Sequence, residues 1–414
     1  MRPVAPPAGG RPGSAAAIFL AFASAYLLST LLRAVTATLA PVFSAELGLG
    51  SADLGLLAGA YFLGFSLTQL PLGTALDRFG PKRVLCGLLV VAVVACLGYA
   101  RAQGLAQMLA ARVLIGIGVS ACLMAPLTCY RHRFSPTAQV RANSWMLMTG
   151  SLGMLVSTVP VQALLPVLGW RGLFVGVAGL LALALLTILV VVPGDPPVTP
   201  SQPGAQGYRQ VFGHPDFIRT APLGFVVYGG LLAMQSLWIG PWLTQVSAQT
   251  PAQAAQGLLG VNGSMLLAFL TWGVLMPRVL ARGWPPLLIV TRAGPAGVLI
   301  MAWIAWLGPQ ATAAHWALWC VSTSVVSLSQ PALAQAFSPS LAGRALSAFN
   351  LVIFAGVFAM QWIIGLSLDA CRAAGLPAVP AYQVTFAGFA AASALCYAWM
   401  IWRPAHAGEP VSPG

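Results

Sequence analysis

Along this chain the informative signal is the length of the apolar stretches. Apolar runs lie near residues 16–41, 53–75, 84–100, 105–130, 143–168 and 172–193, and six more lie near 221–246, 256–277, 285–307, 311–335, 345–368 and 381–402. A helix rises about 1.5 Å per residue, so about 20 apolar residues cross a hydrocarbon layer of about 30 Å. Between the two sets of six lies Pro193-Gly-Asp-Pro-Pro-Val-Thr-Pro-Ser-Gln-Pro-Gly, a stretch that no membrane helix tolerates. The pattern predicts an all-α membrane protein of twelve transmembrane helices. They form two six-helix bundles at 16–193 and 221–403, joined by a linker at 194–220 and flanked by tails at 1–15 and 404–414.

Composition supports this. The chain is 58% hydrophobic and 7% charged, with a mean hydropathy of +0.85. A soluble domain carries about 25% charged residues, so a soluble fold is excluded. The net charge of +13 would suit nucleic acid. Its basic residues are scattered between apolar runs instead of clustered on a polar face, which argues against that partner. Most of the seven Cys fall inside apolar runs and show no metal-finger spacing, so they read as small buried hydrophobes. Arg2 and Arg11 before the first run imitate a secretory leader, but the run is too long and carries Arg33, so it reads as an uncleaved first helix.

Basic residues also orient the spans. With the N-terminus placed in the cytoplasm, only Arg101, Arg171 and Arg372 fall outside and Arg33, Arg112 and Arg292 fall within spans; the remaining Lys and Arg are cytoplasmic. Both termini and the linker are then cytoplasmic. Scarce Lys beside abundant Arg and Ala suggests a GC-rich bacterial genome, and with it an inner membrane.

Gly73-x-x-x-Asp77-Arg78-x-Gly80-x-Lys82-Arg83 packs charge between the second and third spans. It recurs in degenerate form as Gly273-x-x-x-Pro277-Arg278, and Arg141-Ala-x-Ser144 with Gly153 recurs as Arg344-Ala-x-Ser347 with Gly356 at nearly the same offset. The pattern argues for duplicated halves. The first motif resembles the loop between helices 2 and 3 of the major facilitator superfamily of transporters. Arg112-x-x-x-Gly116-x-Gly118 and Gly169-Trp170-Arg171-x-x-Phe174 resemble two further landmarks of that superfamily. The resemblance spans all twelve runs. It implies two parallel repeats, no enzymatic activity, no cofactor, and a small-molecule solute moved by alternating access. It also implies that Gly73, Asp77, Arg78, Gly80, Lys82 and Arg83 latch the halves while the carrier is open outward, with Asp77 facing the N-terminus of helix 11 near Arg344. Gly73 would let helix 2 approach a neighbour closely. The plainer alternative is that these basic residues only fix topology.

Arg33 is the sharpest candidate for substrate binding. A charge at the centre of a span costs at least about 2.5–3.5 kcal/mol, and none of the seven acidic residues lies mid-span to neutralise it. Tyr26, Thr30, Arg33 and Ala37 share one helical face. The segment resembles helix 1 of organic-phosphate and organic-anion carriers, where an arginine grips an anion. Those carriers have a matching arginine on helix 7; here that helix offers Tyr228, Gln235, Trp238 and Trp242, so a monoanion with an apolar body suits better than a dianionic phosphate. Arg112, Thr323, Ser327 and Gln361 complete the candidate lining. Arg112 could equally serve packing, and the hydroxyls could equally be helix–helix glue.

Without a mid-span carboxylate, exchange, facilitated diffusion or cotransport with a protonated anion is expected; Asp53 and Asp369 are the acidic fallbacks. A proton-coupled drug exporter is the alternative, although the fifth span lacks the expected Gly-Pro pair. A copper importer would draw on Met146, Met148, Met234, Met265, Cys122 and Cys129, residues that scattered packing also explains. No nucleophile or metal-ligand constellation points to an enzyme. The expected partners are the solute and the lipid bilayer, with the chain a monomer.

Overall fold

The computed structural model describes residues 15–195 and 205–403; Arg2, Arg11 and Glu409 in the tails, and residues 196–204 of the linker, lie outside the described residues. Ala15–Leu47 (α1), the bent pair Ser51–Leu67 and Gln69–Phe79 (α2), Pro81–Ala100 (α3), Leu105–Arg131 (α4) and Pro136–Val156 (α5) come first. After a turn at Ser157 and Thr158, α5 continues through residues 159–168; Gly169, at φ 61° and ψ 171°, breaks the helix, and residues 170–191 form α6. The second half comprises Pro215–Gln245 (α7), Pro251–Ala281 (α8), Pro286–Gln310 (α9), Ala313–Gln335 (α10), Pro339–Ala373 (α11) and Ala378–Trp402 (α12).

Among the described residues, ten helices are long and apolar enough to cross a membrane, and the bent α2 makes an eleventh. The twelfth is α5, whose first turns carry Gln139, Arg141 and Asn143. Large apolar side chains such as Leu183, Val190, Trp306 and Leu395 stand exposed on the outside. That is expected where the surroundings are hydrocarbon and not water.

The helices are bent where their chemistry interrupts the backbone ladder. In α2 the 45° bend lies at Thr68. Pro71 has no N–H for the Leu67 carbonyl, while Thr68 Oγ1 and Gln69 Nε2 both donate to the Phe65 carbonyl at 2.7 and 3.1 Å. Two π-helical segments, Leu223–Tyr228 and Met234–Trp238, interrupt α7, and a 3-10 segment, Ser324–Leu328, interrupts α10. The described part of the linker is more ordered than its composition suggests. Ala205–Gly213 is a helix, and Val211 and Phe217 join Leu333, Ala345 and Phe349 in a small apolar core.

Helices α2 and α11 run antiparallel and form the most extensive contact between the halves. A Cβ at Gly55 would strike the Gln361 carbonyl, one at Gly365 the Ser51 carbonyl, and one at Gly59 the Phe358 side chain. The close approach expected of Gly73 is therefore made elsewhere; Gly73 has open space where a Cβ would stand. One end of the molecule carries Ser51, Gln245 and Asp369, and the other carries Asp77, Arg133 and Arg344; they are called the Asp369 end and the Asp77 end below. At the Asp369 end, α1 meets α7 where Gly240 abuts the Ala37 carbonyl, and α5 meets α8 where Asn262 Nδ2 donates to the Met154 carbonyl at 3.3 Å. No comparable packing among the described residues joins α4 to α10 at the Asp77 end.

Candidate functional site

Midway along α1, three neighbours fix the backbone around Arg33. Gly153 of α5 lies against the Leu27 carbonyl and the Thr30 hydroxyl, and Gly150 lies against the Tyr26 ring. Tyr61 of α2 donates to the Ser29 carbonyl at 3.1 Å. Arg112 Nη1 of α4 donates to the Leu32 carbonyl at 2.9 Å. The polar and small residues of α1 thus serve to hold it in place, leaving the Arg33 side chain directed at the interface between the halves.

There the Arg33 guanidinium lies 5.5 Å from the Phe65 ring centre and 5.6 Å from that of Phe354. One ring belongs to each half. The two ring centres are 4.5 Å apart, so they form a wedge on one side of the guanidinium. Each contact contributes about 0.5–2 kcal/mol and offsets part of the burial cost. Neither ring accepts an N–H in the way an oxygen does, and Arg33 Nε is buried without a partner. Tyr26, Tyr61, Tyr228 and Cys122 are close enough to feel the Arg33 charge.

No carboxylate among the described residues answers it. Glu46 takes Trp170 Nε1 at 2.7 Å and the Arg171 guanidinium. Asp53 takes the Gly50 N–H at 3.1 Å, and Asp195 those of Lys82 and Arg83 at 3.0 and 3.1 Å. Asp216 lies 3.8 Å from His214, Asp369 accepts two backbone N–H groups of α2, and Asp77 is exposed at a helix end.

Of the residues singled out by sequence, Arg33, Tyr26 and Tyr228 come together. Thr30 instead donates to the Leu27 carbonyl at 3.0 Å in the α1–α5 contact. Arg112 is 1% exposed and packed on Tyr99 and Phe174 inside the first half. Gln235 donates to Asn262 at 2.9 Å and Gln361 to Ser236 at 2.8 Å, a separate buried network. Trp238 is fully buried with its N–H unpartnered. Thr323 faces a small cavity within the second half, beside Gly297, Trp319 and Tyr397. Ser327 is half-buried in the 3-10 segment of α10. Sequence reasoning missed Tyr61, Phe65, Phe354 and Ser29. Tyr61 and Phe65 share a face of α2 at i, i+4 spacing, a signal present in the chain but assigned to no role.

In the charged turn, Gly80 (φ 86°) leaves the space that the Asp195 side chain fills, and Asp195 caps α3. Lys82 Nζ donates to the Leu189 and Val192 carbonyls at the end of α6, at 2.8 and 2.6 Å. Arg78 lies over the Phe79 ring at 5.2 Å, and Arg83 is exposed. Asp77 makes no hydrogen bond or ion pair with the described residues. The expected contact with the start of α11 is not formed here; the turn is tied to its own half.

The family model of the Major Facilitator Superfamily matches residues 22–361. The 4-hydroxybenzoate transporter of Pseudomonas putida is 31% identical over 153 residues, 37% of this chain and 34% of that protein. The probable L-galactonate transporter of Escherichia coli K12 is 28% identical over 138 residues, 33% of this chain and 30% of that protein. The matched stretch thus spans about a third of the length of these curated relatives. A solved bacterial homologue of the human lysosomal transporter Spinster, in an inward-facing and occupied conformation, superposes with a TM-score of 0.74 at 18% identity, covering 95% of this chain and 97% of that one. Twelve packed helices, an interface between two bundles and a family match over most of the chain lead to one assignment: the chain belongs to the Major Facilitator Superfamily, whose members are membrane transporters and not enzymes.

Proposed function

We propose that this protein carries a small organic monoanion across the bacterial inner membrane by alternating access, with Arg33 as the group that grips the anion. The observation that carries the reading is the Arg33 guanidinium, mid-helix between the halves, with two rings beside it, its Nε buried without a partner and no carboxylate among the described residues to answer its charge. A ligand carboxylate would supply the missing oxygens as charge-assisted hydrogen bonds, and Phe65, Phe354 and Tyr228 would take its apolar body. A lone arginine favours one negative charge over two. The relatives named for 4-hydroxybenzoate and L-galactonate, both monocarboxylates, fit this reading. The packing at the Asp369 end and the sparser packing between α4 and α10 at the Asp77 end support a carrier open on the Asp77 side, and the distribution of basic residues supports a cytoplasmic location for that side. Every described carboxylate lies away from Arg33, so coupling through a carboxylate there is not expected, and the bound anion carries any proton that moves.

The test is counterflow of radiolabelled benzoate into proteoliposomes preloaded with unlabelled monocarboxylates. Exchange that Arg33→Ala abolishes and Arg33→Lys keeps in part supports the reading. Exchange of amphipathic cations with no exchange of any anion would replace it with the exporter alternative.

A further inference from the structure

We infer that Asp369 is a gating residue of the transport cycle: its carboxylate, on α11 of the second half, caps the N-terminus of α2 in the first half, and the Asp369 end opens only when that cap is released. Oδ1 accepts the Ser51 N–H at 3.1 Å and Oδ2 the Ala52 N–H at 2.8 Å. The first turn of a helix has N–H groups with no partner of their own, which a residue at the N-cap ordinarily satisfies with its side chain. In α2 the N-cap residue is Gly50, which has no side chain. Asp53 turns back to the Gly50 N–H, so Ser51 and Ala52 take their acceptor from the opposite half.

Asp369 gains from the same contact. It lies in the last turns of α11, where the helix dipole disfavours a negative charge. The α2 N-terminus provides the opposite field, and Gly365, one turn earlier, lets the helices come close enough to share it. Around the cap, Arg372 forms a strut: Nη1 donates to Ser51 Oγ at 3.0 Å and Nη2 to Gln245 Oε1 of α7 at 2.8 Å. Tyr382 of α12 also donates to Gln245 Oε1, at 3.3 Å. Through Arg372 and Gln245, α7 and α12 of the second half are linked to the α11 residues that hold the first turn of α2.

The antiparallel pair places a second acid, Asp77, in the last turn of α2, also at the unfavourable end of its own helix. Asp77 has no partner among the described residues, while Asp369 holds two N–H groups. Releasing the Asp369 cap therefore frees the pair to rock toward the arrangement in which the Asp77 end is closed. The alternating-access reading gives this motion its meaning, but neither the clasp nor its test depends on what the cargo is.

Amide hydrogen exchange on the purified full-length protein, without ligand, tests it. In Asp369→Asn, exchange of peptides covering Ser51 to Asp53 should rise about tenfold, the scale of one charge-assisted hydrogen bond. Peptides at the Asp77 end, around residues 77–83 and 341–349, should become slower. Unchanged exchange at Ser51 overturns the proposal. So does faster exchange there with no slowing at the other end, the outcome of a cap that only stabilises the helix. Arg372→Gln, which keeps the cap and removes the strut, should give the same reciprocal change at about threefold, so the inference remains testable if Asp369→Asn fails to fold.

Discussion

Two arginines lie inside membrane helices close to one another in the fold, and the protein treats them differently. Arg112 is sealed within the first half, its guanidinium 5.5 Å from the Tyr99 ring centre and 5.9 Å from that of Phe174, with Nη1 donating to the Leu32 carbonyl. Arg33 has the same aromatic company, but its rings come from both halves, it is half-buried beside the Tyr61 hydroxyl, and no carboxylate or backbone carbonyl among the described residues accepts from it. Rings alone lower the cost of holding an arginine in hydrocarbon; an acceptor decides whether it is fixed or available. Arg112 binds the carbonyl of the residue just before Arg33 through Nη1, while its Nε, like that of Arg33, is buried without a partner, so the two differ in that one acceptor.

That contrast can be broken in several ways. Arg33→Ala should cost about 3 kcal/mol of anion binding, the scale of a charge-assisted hydrogen bond, measured by calorimetry. Its thermal unfolding midpoint should hold or rise, because an unanswered charge has been removed. Arg112→Met should do the reverse, losing about 2 kcal/mol of stability through the abandoned Leu32 carbonyl with affinity changed less than about threefold. Arg33→Lys should lose about 1.4 kcal/mol of binding, keeping the charge but not the fork. Phe354→Leu should lose about 1 kcal/mol, and more for benzoate than for an aliphatic monocarboxylate of similar size, since only the ring contact is removed.

Run length alone made the helices legible, because a hydrocarbon layer permits few other structures. Arg33 was legible for the same reason: a charge there, with seven acids to inspect, poses a question the sequence can state. Its surroundings were not. Tyr26, Thr30 and Arg33 share a face by period, yet that face is wide enough to meet two neighbours, and α5 takes Thr30 while α2 and α11 take Arg33. Phe65 and Phe354 meet only through the register of α2 against α11, set by Gly55, Gly59 and Gly365 at points no single-helix pattern reveals. The charged turn hid its present partner in a similar way. Its residues suggested a bridge between halves, whereas Asp195, distant in sequence, ties it to α6, and the bridge that is formed uses Asp369 at the other end.

The central claim is that the Arg33 charge is vacant for an anion. It is tested most directly by thermal unfolding of purified wild type, Arg33→Ala and Arg112→Met with benzoate, nicotinate, lactate and gluconate, each raised to saturation. At least one of these anions should stabilise wild type and Arg112→Met by a shift that grows with concentration, as binding to the native state requires, and leave Arg33→Ala unmoved. An equal shift in Arg33→Ala, or no shift with any anion in wild type, would contradict it.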